Sequence, residues 1–178
     1  MEHSHLIHQS LDKGIIQDIR RFIREESFDV NMDVGQDGKK GRSHIQERPL
    51  FVALSKVKTE GDDYYKIAQA LLRHPNIQVN MPCGGDGSQT ILGLLCETRS
   101  ESLAGVKLLL DDVRVDVNGG FLSTPLYAAL KSIKSEGDHF HEIARLLLQR
   151  RDTDPNANCS FGSAIGLICK DLHVSSSK

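Results

Sequence analysis

Side chains able to do chemistry are few and scattered in this sequence. His3, His5 and His8 crowd the amino terminus, and His5 and His8 fall on one helix face. Neutral imidazoles so placed could hold zinc, and a Met1-Glu2-His3 start could chelate a square-planar copper or nickel ion. Solvated histidines at a loosely tied end are the simpler account, so no bound metal is expected. His139 and His141 flank Phe140, which reads as core between two exposed imidazoles. Four cysteines stand at 83, 96, 159 and 169, with gaps of 13, 63 and 10, matching neither a metal knuckle nor a disulfide framework. A nucleophilic thiolate needs an adjacent base. Cys96 with His44 is the pairing on offer, but nothing brings the two within hydrogen-bond reach, and a buried cysteine usually acts as a small hydrophobe. No HExxH, serine elbow or paired-carboxylate loop occurs.

Two loops could be read as binding elements. Cys83-Gly84-Gly85-Asp86-Gly87-Ser88-Gln89-Thr90 suggests a phosphate loop, yet it has no lysine before the serine and follows a helix rather than a buried strand. A hairpin-like turn explains its glycines. Lys39, Lys40 and Arg42 form a basic patch in the longest loop, 32–48, suited to an acidic partner if it is not simply a solvated insertion.

Composition narrows the field further. The chain has 178 residues and a net charge of −2 (22 Lys+Arg against 24 Asp+Glu), which argues against bulk electrostatic binding to nucleic acid. Six Phe, three Tyr and no Trp are too few for a base-stacking platform. No apolar run approaches the roughly 18 residues needed to span a membrane, and the start shows neither a basic nor an apolar signal region. A monomeric cytoplasmic protein with reduced thiols and no cofactor is expected.

Internal repetition then sets the organisation. Val30-Asn31, Val79-Asn80, Val117-Asn118 and Pro155-Asn156 recur at spacings of 49, 38 and 38 residues. Eight residues before each Asn stands Ile23, Leu72, Leu110 or Leu148; three before it stands Phe28, Ile77, Val115 or Thr153. Each unit carries an amphipathic stripe, such as Ile67, Ala68, Leu71 and Leu72, with spacings of one, three and four. A shorter apolar segment precedes the second, third and fourth stripes and another follows the last Asn. Each opens on Pro, Thr or Ser, residues suited to a first turn or an N-cap. Helices are predicted near 4–12, 15–25, 49–58, 63–74, 89–98, 102–111, 124–133, 138–150 and 163–171. Helix pairs too small to bury both faces alone must stack on their neighbours.

These residues resemble ankyrin repeats over nearly the whole chain. The carriers are Thr124-Pro125-Leu126-Tyr127-Ala128-Ala129, Val106-Lys107-Leu108-Leu109-Leu110 and the endings Asp29-Val30-Asn31 and Asp116-Val117-Asn118. The resemblance implies an all-α ankyrin-repeat solenoid of stacked helix pairs with hairpin-like loops. It forms a single domain over 1–178, with repeats near 1–31, 32–80, 81–118 and 119–156 and a closing helix at 157–173. Departures are the long period, the loss of the motif histidine to Phe51, Leu92, Tyr127 and Gly166, and Pro75 where glycine usually ends the second helix. Long, irregular copies are similar to ankyrin arrays in effectors of intracellular bacterial pathogens. That likeness implies, as an alternative to a resident cytoplasmic protein, export without a signal peptide into a host cytosol.

The same resemblance implies a non-enzymatic protein–protein interaction module with a protein partner. By motif position Val52, Ser55, Lys56, Cys96, Glu97, Ala128, Lys131 and Ser132 face the concave side, and Met81, Asp86, Phe121, Leu122 and Phe161 sit at loop tips. Exposed Phe121 and Leu122 would anchor a partner. Asn31 and Asn118 match positions that asparaginyl hydroxylases modify. The alternative from another class is a small Cys/His hydrolase or metal-dependent enzyme using Cys96 or the amino-terminal histidines.

Overall fold

The computed structural model describes residues 2–25, 27–34, 48–83, 88–97, 103–136 and 138–175. They form an all-α structure with one short hairpin: α1 (Glu2–Asp12), α2 (Ile16–Ile23), α3 (Pro49–Lys56), α4 (Asp63–Leu72), β1 (Pro82–Cys83), β2 (Gln89–Thr90), α5 (Ile91–Glu97), α6 (Leu103–Leu110), α7 (Pro125–Glu136), α8 (Asp138–Gln149) and α9 (Ala164–Ser175). Among these residues no helix is long and apolar enough to cross a membrane.

Helix starts follow local chemistry. Pro49 occupies the first position of α3 behind an extended Arg48. Asp62 caps α4 by accepting from Tyr65 N at 2.6 Å, and also holds Lys58 N and Thr59 N at 2.9 and 3.2 Å. Thr90, Thr124 and Ser163 likewise accept from the N–H three residues on, those of Gly93, Tyr127 and Gly166. Observed ends differ from the sequence expectation by a few residues. α4 stops at Leu72 ahead of Pro75, and α5 begins at Ile91 because Gln89 and Thr90 pair with Cys83 and Pro82.

Packing arranges the helices in two layers. Each odd-numbered helix lies against the next odd one, each even-numbered helix against the next even one, and α1–α2, α3–α4, α5–α6 and α7–α8 pair within the stack; α9 packs on α7. Apolar stripes meet between the layers. Ile67, Ala68 and Leu71 of α4, Val106 and Leu109 of α6, and Phe140, Ile143 and Leu147 of α8 are buried in one cluster that runs from Ile7 to Ala164. Each large side chain so buried contributes about 1.5–3 kcal/mol.

Polar rungs tie the units together along one edge. The Asn31 amide donates to Asn76 O at 2.8 Å and accepts from Gln78 N at 2.9 Å. Asn80 repeats this with Arg114 O and Asp116 N (2.7 and 2.8 Å), and Asn118 with Asp152 O and Asp154 N (2.7 and 2.8 Å). Arginine adds a second link: Arg114 Nη2 donates to Leu72 O at 2.7 Å and Arg150 Nη1 to Leu110 O at 2.6 Å. The recurring Val-Asn is therefore the device by which one unit holds the turn of the next.

The aliphatic position eight residues before the Asn is not buried alike in every unit. Leu72 and Leu110 are 9% and 8% exposed, whereas Leu148 is 56% exposed. The next even helix covers α4 and α6, but among the described residues none lies beyond α8.

Candidate functional site

Three successive loops are joined edge to edge by backbone bonds. Phe121 N donates to Ser88 O at 2.8 Å, and Phe121 O accepts from Ser160 N at 3.1 Å and Ser160 Oγ at 3.2 Å. Gly120 allows this path: its φ is +126°, and a Cβ there would run into the Ser123 carbonyl. The last loop closes on itself through Cys159 N to Gly162 O at 3.1 Å and Gly162 N to Cys159 O at 3.0 Å. Held this way, Phe121 is 77% exposed and Phe161 54% exposed, although both are large apolar side chains.

Charged groups from the odd-numbered helices gather at the Phe161 ring. Tyr127 of α7 is buried with its ring stacked on Phe161, centroids 6.2 Å apart. One turn on, Lys131 places Nζ 5.5 Å from the Phe161 centroid and 4.0 Å from Glu97 Oε1 of α5. Glu97 Oε2 accepts from Gln89 Nε2 at 2.6 Å. Exposed contacts of this kind are each worth about 1 kcal/mol or less, so the group positions side chains more than it holds the fold. An exposed phenylalanine ring beside an ammonium that is itself near a carboxylate can seat an apolar side chain and orient it by charge.

Of the residues expected to meet a partner, Glu97, Lys131 and Phe161 come together here, and Phe121, with half-buried Leu122 next to it, is joined to the Phe161 loop through its backbone bond with Ser160. Val52, Cys96, Ala128 and Ser132 are corrected: all four are buried, and side chains covered by their own chain offer a partner nothing. Ser55 is half-buried and donates to Val52 O. Lys56 lies at the other end of the stack, 2.6 Å from Asp12 Oδ1, where Tyr64 Oη also donates to Asp12 O. That lysine's hydrogen bond holds the Asp12 carboxyl below its ordinary range. Met81 is half-buried. Lys39, Lys40, Arg42, His44 and Asp86 lie outside the described residues.

Asn31 and Asn118, the positions implied for hydroxylation, spend their amides on the rungs described above. His3 and His5 fall on α1, and His8 Nδ1 sits 3.2 Å from Asp12 Oδ2. Among the described residues no group of three or more potential ligands could hold a metal ion. Burial pushes the Cys96 thiol up, and the Cys83 thiol is pushed up to about 12 by burial against an opposing pull from Arg48. Phe140 is core as expected, whereas His139 is half-buried against it, ring centroids 4.1 Å apart, rather than exposed.

Sequence reasoning missed Gln89 and Tyr127 as parts of this group. The four-residue step from Tyr127 to Lys131 places the two on one helix face and was the available signal. It also missed a cleft on the even-numbered layer lined by Ile23, Arg24, Phe28, Ala70, Arg73 and His74. Compared with family models, curated proteins and solved structures, the chain matches none.

Proposed function

We propose that the chain is an ankyrin-type solenoid acting as a non-enzymatic, monomeric protein-binding module, and that its partner docks on the loop edge carrying Phe121, Phe161, Lys131 and Glu97. The observation that carries this reading is the exposure of two phenylalanines on loops fixed by backbone bonds. Water-facing apolar rings cost free energy unless something covers them, and preset loops lower the ordering cost of binding. The two-layer stack, the threonine caps at Thr90 and Thr124, and the Asn rungs support the ankyrin assignment. Action in the cytoplasm, or in a host cytosol for an effector, belongs to the same proposal. Burial of Cys96 weighs against the thiol-enzyme alternative.

Affinity capture from cell lysate tests the reading. Wild type and Glu60→Lys, a substitution in an exposed turn away from the edge, are expected to enrich the same protein. The Phe121→Asp/Phe161→Asp double variant is expected to lose it while keeping the wild-type circular dichroism spectrum. Equal enrichment by the double variant, or no protein enriched by any form, contradicts the proposal.

A further inference from the structure

A cleft of about 520 Å³ opens where the C-terminal ends of α2 and α4 meet, between two units of the stack. Half-buried Ile23, Phe28 and Ala70 and exposed Pro75 give it an apolar wall. Arg24 and Arg73, the C-cap residues of α2 and α4, line it together with His74. Both arginines are exposed, and neither guanidinium has a hydrogen bond or ion pair among the described residues. His74 Nδ1 accepts from Asn76 N at 3.2 Å, so a neutral ring carries its proton on Nε2 as a further donor. The Asn76 side-chain amide, also in the lining, has no hydrogen bond among the described residues.

Repeat position sets this cleft apart from its neighbours. Arg24 and Arg73 stand seven residues before Asn31 and Asn80 (31 − 24 and 80 − 73), where the next two units carry Asp111 and Gln149 (118 − 111 and 156 − 149). Two cations therefore meet at the first junction between units, while the second junction brings an arginine position to an aspartate position. The helix macrodipole favours a cation at each C-terminal end, but it makes no use of the guanidinium donors. Arg114 and Arg150 show what such donors do elsewhere in the stack. Each pairs with an aspartate, at 2.6 and 2.8 Å, and donates to a carbonyl of the preceding unit. The carboxylate lining the cleft, Glu25, stands 3.9 Å from Arg21 Nε, which is outside the lining. Guanidinium forks match carboxylates, and the wall beside them is apolar.

We infer that this cleft docks an extended acidic segment of a partner protein, with an apolar side chain against Phe28 and Pro75 and its flanking carboxylates taken by Arg24, Arg73 and His74. The Asn76 amide, donor and acceptor at once, suits the backbone of an extended segment. The cleft shares no residue with the loop edge and does not rest on that reading. Exposed arginines attract an acidic segment and set its orientation, and salt screens that attraction.

The probe is a fluorescent nonapeptide, Gly-Ser-Glu-Leu-Glu-Leu-Glu-Ser-Gly, titrated against the full chain by anisotropy at low and at high salt. Saturable binding is expected at low salt, weakened about tenfold or more by high salt, by Arg24→Glu/Arg73→Glu in the chain, or by glutamine in place of each peptide glutamate. Serine in place of each peptide leucine is expected to weaken it several-fold. Arg24→Gln/Arg73→Gln should lower affinity in the same direction, and both double variants should keep the wild-type circular dichroism spectrum and melting curve. The loop-edge variant Phe121→Asp/Phe161→Asp should bind the peptide like wild type, which separates the two surfaces. Absence of saturable binding, equal binding by the glutamine peptide, or indifference to both arginine variants overturns the proposal. Binding to phosphatidylserine vesicles in place of the peptide, lost on charge reversal, would overturn it in favour of a lipid surface. Concentration-dependent dimerisation lost in the same variant would overturn it in favour of a second copy.

Discussion

Lys131 holds its ammonium 5.5 Å above the centroid of the Phe161 ring. The two residues come from different units of the stack, α7 and the loop before α9, so their meeting depends on the units keeping register. The Tyr127 ring stacks on the Phe161 ring, and Glu97 Oε1 stands 4.0 Å from the ammonium. Registration by the Asn rungs thus becomes the means by which a repeat scaffold presents a defined surface.

Those rungs make unequal demands on two asparagines at the same repeat position. Asn118→Ala removes two inter-unit hydrogen bonds of 2.7 and 2.8 Å and is expected to destabilise the chain by about 1–3 kcal/mol. Asn156→Ala, with no such bond among the described residues, is expected to cost less than about 0.5 kcal/mol. Urea denaturation of both variants checks this; equal losses would mean the rungs do not couple the units.

Leu109 tests the buried stripe. It is 0% exposed within α6, so Leu109→Ala should cost roughly 2–5 kcal/mol through lost burial and the cavity left behind. A loss below about 0.5 kcal/mol in the same denaturation experiment would place Leu109 outside the core.

Acid stability should carry the signature of Asp112. The Arg114 guanidinium bonded to it at 2.6 Å holds its carboxyl below the ordinary range. A carboxylate depressed in the folded state stabilises above its unfolded value of about 3.9, and this is lost as pH falls through the folded value. Asp112→Asn is therefore expected to be less stable than wild type at pH 7, with the gap narrowing below about pH 4 and closing at still lower pH. A gap that stays constant across a pH series of unfolding curves would show that the ion pair contributes nothing.

Thiol reactivity separates the binding and enzyme readings. Cys169 is exposed and Cys159 half-buried, while Cys83 and Cys96 are fully covered with thiols pushed upward by burial. Timed alkylation read by mass spectrometry should modify Cys169 first, Cys159 next, and Cys83 and Cys96 last. Preferential reaction at Cys96 would favour the thiol-enzyme alternative.

The helices and their caps were legible because periodicity and hydrogen-bonding chemistry are local. The stripe Ile143, Ala144 and Leu147, and Thr124 ahead of Pro125, announce themselves in the sequence and appear as a buried face and a capped start. Facing direction was less legible. Val52, Cys96 and Ala128 read as partner-facing by motif position, yet they are buried, because small side chains let α3, α5 and α7 approach closely. Leu148 misled for another reason: its pattern matches Leu72 and Leu110, but among the described residues no further helix packs on that side of α8. Among the expected loop-tip residues, Phe121 and Phe161 are exposed because backbone bonds between loops, invisible to side-chain pattern, set where each loop points.

The most direct test of the loop-edge account is a calorimetric titration of the captured partner against wild type, Phe161→Asp, Lys131→Glu and Lys56→Glu. Phe161→Asp is expected to abolish binding, Lys131→Glu to weaken it about tenfold, and Lys56→Glu, at the other end of the stack, to leave it unchanged. Undiminished binding by Phe161→Asp, or a loss confined to Lys56→Glu, would contradict loop-edge docking.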